Sequence, residues 1–451
     1  MQLINSRTTS SALVCLILAG CVTIPTTPTE SILEVPAAYD EAQNIIAETR
    51  SGDDAWISLF QIAPLNELID QANANNLDLE AGLANLRAAE ASLKSARAGL
   101  LPSVTAGASS SGSSEDDFSE FNSSARLSAA YSLDLFGQTK FSVLSAREGL
   151  NSQQFSQRAL ELTVKTNTAS AYLTLTSLRN QMETAQANLE ISQRIYDLVK
   201  VRYDAGAVSG FDLESQKASL ANARARIPQL DQQITAAETS LALLLGRSSQ
   251  GFEAPIAPLE NWAVPHMPVG MPSDLLVRRP DLLSAEADLR AANANIAAAR
   301  AAFYPSVDLS AGVSTLLTSG ADIIGSTAAS LSAPIFSGGR LAAQTESAIA
   351  QRDALVARYE QAAYSAFRDV DIALSSIRTA DLREAELAIS ETASARALEL
   401  AETRYANGAD GLTELLNAQS SYFSARDSRM QARTTQLQAA IDLYAALGGG
   451  W

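Results

Sequence analysis

Few residues of this 451-residue chain have types and spacings that could do chemistry. The first is Cys21, which closes Leu18-Ala19-Gly20-Cys21 just after the apolar stretch Ala12 to Leu18. That stretch is too short to span a bilayer and reads as the core of a signal peptide. Leu-Ala-Gly-Cys has the pattern of a bacterial lipobox. Cleavage before Cys21 would leave a cysteine whose thiol takes a diacylglycerol and whose amine takes a third acyl chain. An ordinary secretory signal with an incidental cysteine is the alternative. Four carboxylates, Asp204, Asp212, Asp410 and Glu414, flank two glycine-containing turns, where solvated helix-end charge is the simplest role. Arg278-Arg279 could hold an anion, but Pro280 follows at once and a structural anchor fits better. His266 is the single histidine, so no His/Cys metal cluster can form and no nucleophile elbow accompanies it. Neither enzymatic activity nor a cofactor is expected. A formal net charge of −17 argues against a nucleic-acid binder, which would need a basic face.

The elements around these residues come in two copies. Leu101-Pro102-Ser103-Val104 matches Tyr304-Pro305-Ser306-Val307, and Arg202-Tyr203 with Gly206 matches Arg404-Tyr405 with Gly408. Phe136 matches Phe336 and Leu245-Gly246 matches Leu447-Gly448, all in order and about 200 residues apart. Each copy predicts a helix (about Leu65–Leu100, then Ser273–Ala302) stopped by a proline and followed by a Ser/Gly/Val-rich hairpin. A long proline-free stretch comes next, Phe136–Tyr203 or Phe336–Tyr405, whose length as a helix would be about 100 Å. A glycine turn leads to a return helix, Phe211–Leu245 or Leu412–Leu447. The return helix, stacked end to end with the first, would match the long one. Leu178, Met182, Ala185, Leu189, Ser192, Tyr196, Val199 and Tyr203 keep a heptad step, which predicts a coiled-coil seam. With 6% aromatic residues and abundant Ala and Ser, close-packed helices suit the composition better than a thick core.

The hairpins alternate. Ala125, Leu127, Ala129, Tyr131, Leu133 and Leu135 oppose Ser124, Arg126, Ser128, Ala130, Ser132 and Asp134. Val307, Leu309, Ala311 and Val313 form one face of the next arm, and Ala329, Leu331, Ala333 and Ile335 one face of the last. Segments of about ten residues, apolar on one side, suit a transmembrane β-barrel, although hairpins lying on a soluble core would share the pattern. Four strands cannot close a barrel, so membrane use would require several chains to pool them. The acidic tips Ser114-Glu115-Asp116-Asp117 and Ser319-Gly320-Ala321-Asp322 would then suit the cell exterior.

The stretch Gly270-Met271-Pro272-Ser273-Asp274-Leu275-Leu276 with Arg278-Arg279-Pro280-Asp281 resembles the signature of TolC-like outer-membrane factors of tripartite efflux pumps, in the NodT/OprM lipoprotein branch. Ala333-Pro334-Ile335-Phe336-Ser337-Gly338-Gly339-Arg340 and Tyr444 to Trp451 are similar too. The resemblance implies a mostly α fold with a membrane β-barrel. In it, a duplicated helix–hairpin–helix unit forms a homotrimer with a twelve-stranded barrel, a twelve-helix α-barrel and an equatorial domain. It divides the chain into a signal peptide (1–20), an anchored tether and equatorial segment (21–64), a first repeat (65–250, hairpin about 102–136), an equatorial connector (251–272) and a second repeat (273–451, hairpin about 305–336). The implied function is a passive exit duct in the outer membrane, anchored by lipid at Cys21 and extending into the periplasm. A periplasmic adaptor and an inner-membrane RND-type transporter would be its partners. Ala205-Gly206-Ala207 and Asn407-Gly408-Ala409 would meet the adaptor at the periplasmic tip. Leu416-Asn417-Ala418-Gln419 has Asn417 where the family often has a gating Asp, and Thr413 stands where a gating Leu is common. Asp204, Asp212, Asp410 and Glu414 are then acidic candidates for a cation-attracting ring, tripled by symmetry. Type I protein secretion, or a periplasmic coiled-coil scaffold lipoprotein, are the rival readings.

Overall fold

The computed structural model describes residues 33–39, 59–112, 121–265, 271–317 and 323–449. Cys21, His266, the two acidic hairpin tips and Trp451 lie outside the described residues. The chain divides into two compact units. One gathers residues 84–156 and 283–361, the other residues 34–83, 157–282 and 362–451.

The order of elements repeats. The first copy runs α1 (Ala63–Asn75), α2 (Leu77–Ala98), β1 (Ser103–Gly112), β2 (Phe121–Leu133), α3 (Gln138–Asp204) and α4 (Gly210–Leu244). The second runs α5 (Pro272–Arg278), α6 (Pro280–Ala301), β3 (Ser306–Leu316), β4 (Ile323–Ser332), α7 (Arg340–Ala406) and α8 (Leu412–Ala446). The two long helices have 67 residues each and the return helices 35 each. The four strands make one antiparallel sheet in the order β1-β2-β3-β4, so the hairpins of the two copies join through β2 and β3.

The sequence predicted one helix before each hairpin, and both are broken in two. In the first copy Asn76 is extended (ψ 128°), and its Oδ1 accepts the N–H groups of Asp78 and Leu79, capping α2. Its Nδ2 donates to the Leu244 carbonyl at 2.9 Å, where α4 ends. In the second copy Arg279 is extended ahead of Pro280, and its Nη1 donates to the Ala446 carbonyl at the end of α8. Different side chains thus join each return helix to the start of the helix before its hairpin, the end-to-end stacking that the lengths suggested.

Glycine makes this junction possible. Gly246 (φ +65°) and Gly448 (φ +86°) lie in the left-handed region and close a Schellman turn. In the first, Gly246 N–H donates to Leu243 O and Arg247 N–H to Ala242 O; in the second, Gly448 N–H donates to Ala445 O and Gly449 N–H to Tyr444 O. A Cβ on Gly246 would stand 1.9 Å from the Asn75 carbonyl oxygen, and one on Gly448 3.0 Å from the Arg279 Cα.

Close helix approach replaces a thick core. In the unit that holds the sheet, Ser284 of α6 meets Ser152 and Ser156 of α3 at 3.0 and 2.9 Å, hydroxyl to hydroxyl. Ala297 and Ala301 pack under Phe141 nearby. Buried threonines of α3 turn their hydroxyls onto their own helix, Thr168 to Val164 O and Thr176 to Tyr172 O, which lets polar residues sit inside. The predicted connector is strapped down in the other unit. Arg179 donates to the Ala254 and Pro255 carbonyls and pairs with Glu238 at 2.6 Å. Tyr172 donates to Pro255 O, and burial pushes its hydroxyl up to about 12. Trp262, 1% exposed, stands between Phe60 and Tyr172. Arg279 also pairs with Asp281 and Asp369, the anchoring role expected of it.

Gly246→Ala and Gly251→Ala both place a methyl at positive φ, a strain of about 1–2 kcal/mol, but Gly251 has open space around it. The thermal midpoint in detergent, followed by circular dichroism, is therefore expected to fall several degrees further for Gly246→Ala. Equal shifts would mean that the break at Asn76 accommodates a side chain.

Candidate functional site

Two places carry the candidate functions: the sheet, in one unit, and the paired helix turns, in the other. In the sheet, the register aligns the predicted alternation across all four strands. Val104, Ala106 and Ala108 face Ala129, Leu127 and Ala125; these face Ala311, Val313 and Thr315, followed on β4 by Thr327, Gly325 and Ile323. Tyr131, Leu309 and Ala329 extend the same face, as do Leu133, Val307 and Leu331. The opposite face carries hydroxyls that bond one another, Thr105 to Ser128 at 2.9 Å and Ser109 to Ser124 at 3.0 Å. Among the described residues no element packs over the outer strands on the apolar face: Val104, Leu331 and Ile323 are 66%, 66% and 74% exposed. Hairpins lying on a soluble core would have buried it. Among the described residues β1 and β4 each pair on one side only, leaving two open edges.

The sequence reading extended the last strand through Ala333 to Ile335, whereas β4 ends at Ser332 and Ile335 is 94% exposed. It likewise carried the second arm to Leu135, but β2 ends at Leu133. Phe136 stacks on Tyr304 at 4.8 Å, while its counterpart Phe336 stands exposed.

In the other unit, α3 and α7 end in the same turn. Gly206 (φ +73°) donates to Tyr203 O and Ala207 to Arg202 O, while Gly408 (φ +72°) donates to Tyr405 O and Ala409 to Arg404 O. The predicted triplets Ala205-Gly206-Ala207 and Asn407-Gly408-Ala409 are exposed in both. Beneath them Ile195, Val199, Leu398, Tyr405, Leu412 and Leu415 form an apolar cluster joining α3, α7 and α8.

The acidic candidates do different things. Asp204 pairs with Lys200 at 2.9 Å. Asp212 closes a capping box with Ser209 at the start of α4. Asp410 pairs with Arg404 at 2.6 Å, and the guanidinium bonded to it holds its carboxyl below the ordinary value. Glu414, Thr413 and Asn417 are exposed on the first turns of α8.

The sequence reading missed what holds the turns together. Arg202 lays its guanidinium 4.7 Å over the Tyr405 ring and donates to the Tyr405 carbonyl at 3.1 Å, bridging the two copies. The predicted heptad is only partly buried. Leu178, Met182, Ala185, Leu189 and Tyr196 are half-buried, Val199 is buried and Tyr203 is exposed, with Ile195 taking the expected place near the turn. Ser192, its one polar member, is the centre of a buried network. Its carbonyl accepts from Gln216 Nε2 at 3.0 Å and its hydroxyl from Gln419 Nε2 at 2.8 Å. Gln419 also donates to Asn188 at 2.9 Å. Gln216 and Gln419 are not counterparts: the return helices are offset by 202 residues, which sets Ala418 against Gln216 and Lys217 against Gln419.

The chain thus combines a four-stranded sheet with two open edges and two 67-residue helices. The profile of the family described as outer membrane efflux protein matches residues 68–247 and 271–449. The chain belongs to the outer membrane efflux protein family. The pyoverdine export outer membrane protein OpmQ of Pseudomonas aeruginosa is 34% identical to this efflux protein, over 97% of this chain and 95% of that one. The outer-membrane channel OprN superposes with a TM-score of 0.85 at 28% identity, covering 96% of this chain and 100% of that one. The open state of the Neisseria gonorrhoeae outer membrane channel MtrE gives 0.82 at 30% identity, covering 95% and 98%. The efflux protein therefore has the TolC-like fold and is the outer-membrane channel component of an efflux system. Its family and relatives are channels, with no catalytic activity indicated.

Asp410 titrates below its unfolded value, so the Arg404 pair contributes above the ordinary carboxylate range and is lost only as pH falls through the lowered value. In Arg404→Gln the Asp410 midpoint should return upward to about the model-peptide value. Carbon-13 NMR of labelled aspartate carboxyls would read it. An unchanged midpoint would mean that the pair does not persist in solution.

Proposed function

We propose that three copies of the chain pool their hairpins into a twelve-stranded barrel across the outer membrane, and their helices into an α-barrel through the periplasm. The observation that carries this is the sheet, apolar in register over four strands, uncovered on that face and unpaired at both edges. Hydrocarbon accepts such a face, and only closure removes the edges. Three copies of four strands supply a barrel wide enough for a watery lumen lined by the hydroxyl face. The helices ordered in two copies supply the duct. The signal peptide, tether, equatorial and repeat divisions of the sequence reading carry over to this proposal.

The chain would act as a passive exit duct. An inner-membrane RND-type transporter would supply the energy, and a periplasmic adaptor would dock at the turns 205–207 and 407–409. The relatives favour small molecules over protein clients: one is named for pyoverdine export, and another, at 32% identity, is a toluene efflux pump outer membrane protein. Cys21 would carry the acyl anchor. Among the acidic candidates, Glu414 is the freest to form a ring, because Asp204, Asp212 and Asp410 are engaged by Lys200, Ser209 and Arg404.

Native mass spectrometry of detergent-extracted protein tests the assembly. A trimer whose subunits begin at Cys21 and carry acyl mass is expected; a monomer recovered without detergent would overturn the proposal. Cys21→Ala should abolish the acyl mass and leave barrel insertion intact, and loss of all assembled protein would give the anchor a further role. In planar bilayers, Glu414→Gln should reduce cation selectivity more than Asp212→Asn does; equal effects would remove Glu414 from any ring.

A further inference from the structure

Strands β1 to β4 carry two charged residues between them, Arg126 on β2 and Asp308 on β3. Both stand on the hydroxyl face. Arg126 follows Ser124 and precedes Ser128 on that face, opposite Gly107 of β1 and Ser314 of β3. Asp308 lies opposite Ser132 of β2 and Ser330 of β4. From Arg126 to Ser132, the partner of Asp308, is a distance of about 20 Å along the strand. That is more than twice a Debye length of about 8 Å at physiological salt, so neither charge cancels the other. Among the described residues no carboxylate pairs with Arg126, which is exposed. Asp308 accepts from the Ser306 hydroxyl at 3.3 Å and faces no base there.

The parity of the strands decides what Arg126 serves. An arginine among Val104, Leu127 and Val313 would reach for lipid phosphate, but Arg126 belongs to the other face, with Thr105, Ser124 and Ser128. Its surroundings leave it room. A Cβ on Gly107 would meet nothing within 4 Å, and Ser314 is short.

Three-fold symmetry would turn each of these residues into a ring. Twelve strands about 4.8 Å apart and tilted about 40° make a wall of roughly 12 Å radius. An arginine extended from that wall brings its charge within one Debye length of the axis, so a solute crossing the barrel passes through its field. The planar guanidinium fork suits oxyanions and keeps its charge at every pH the membrane meets.

We infer that Arg126 is a specificity-determining residue of the duct: three copies form a cationic ring in the lumen, on the side of the hairpin tips, that binds cargo bearing carboxylate, sulfonate or phosphate groups. The ring rests on the trimer proposed above. It has the opposite sign to the net charge of −17, and gives an anionic cargo a favourable station in a channel that otherwise repels it. Asp308 sets the reverse sign at the level where the strands join the helices.

Pyranine, a dye with three sulfonates, tests the ring in detergent-solubilised protein, where entry from the barrel end does not depend on the state of the helix turns. Fluorescence anisotropy at low salt should show binding that weakens as salt is added. Arg126→Gln should raise the dissociation constant about tenfold or more. Arg126→Lys should keep most of the binding, and Asp308→Asn should not weaken it. In planar bilayers, dye added from one side should lower the conductance of the unaltered channel and spare Arg126→Gln. Equal binding by Arg126→Gln, in a variant that is trimeric by native mass spectrometry, would overturn the ring. So would a trimeric unaltered protein that binds no dye, and in both cases the trimer would stand. A monomer would overturn the trimer itself, and the ring with it.

Discussion

A backbone N–H or C=O group left without a partner in hydrocarbon costs several kcal/mol, and water cannot repair it. Every arrangement in the sheet answers to that constraint. Antiparallel pairing satisfies the interior ladder, and the alternation of small apolar residues against serines and threonines sorts the two faces between lipid and water. The hydroxyls of the wet face bond across strands, as Thr105 and Ser128 do. Among the described residues β1 and β4 each keep one unpaired edge, the edges that the proposed pooling of copies would close.

The helical part obeys a related economy. Four helix ends would each leave carbonyls without donors, and each is closed by the same left-handed glycine turn, at Gly206, Gly246, Gly408 and Gly448. Two of these turns are exposed loops. The other two let a return helix butt against the start of another helix, where Asn76 or Arg279 donates across the junction. One motif therefore serves both to reverse the chain and to splice helices.

Much of this was legible in residue order because it depends on local rules. Alternation placed the strands, proline-free length placed the 67-residue helices, and paired glycines placed the turns. The break at Pro280 has a visible cause, but the one at Asn76 does not. Asn76 caps α2 through its Oδ1, and its amide also donates to the Leu244 carbonyl, a long-range contact that residue order does not announce. Side-chain choice at the turns was equally hidden. Arg202 and Arg404 are counterparts, yet Arg404 takes Asp410 while Arg202, whose own turn offers Val208 at the matching place, reaches over to Tyr405. Heptad spacing marked the right helix and, in Ser192 and Val199, buried members of its seam, but not Ile195, which takes the place of Tyr203 near the turn. The seam near the turns is decided by Gln216 and Gln419 converging on Ser192, a polar contact that a hydrophobic template reads as a defect.

The uncovered face of the sheet also bears on how the channel is made. A chain on its way to the membrane carries an apolar surface and two unpaired strands, the features that drive edge-to-edge aggregation. Such a subunit has no stable resting place, neither in water, where the face is exposed, nor in lipid, where the edges are. On the proposed assembly of three copies, insertion and association would be coupled, and their rate would depend steeply on subunit concentration. The solitary subunit is the species that a cell must shield or destroy.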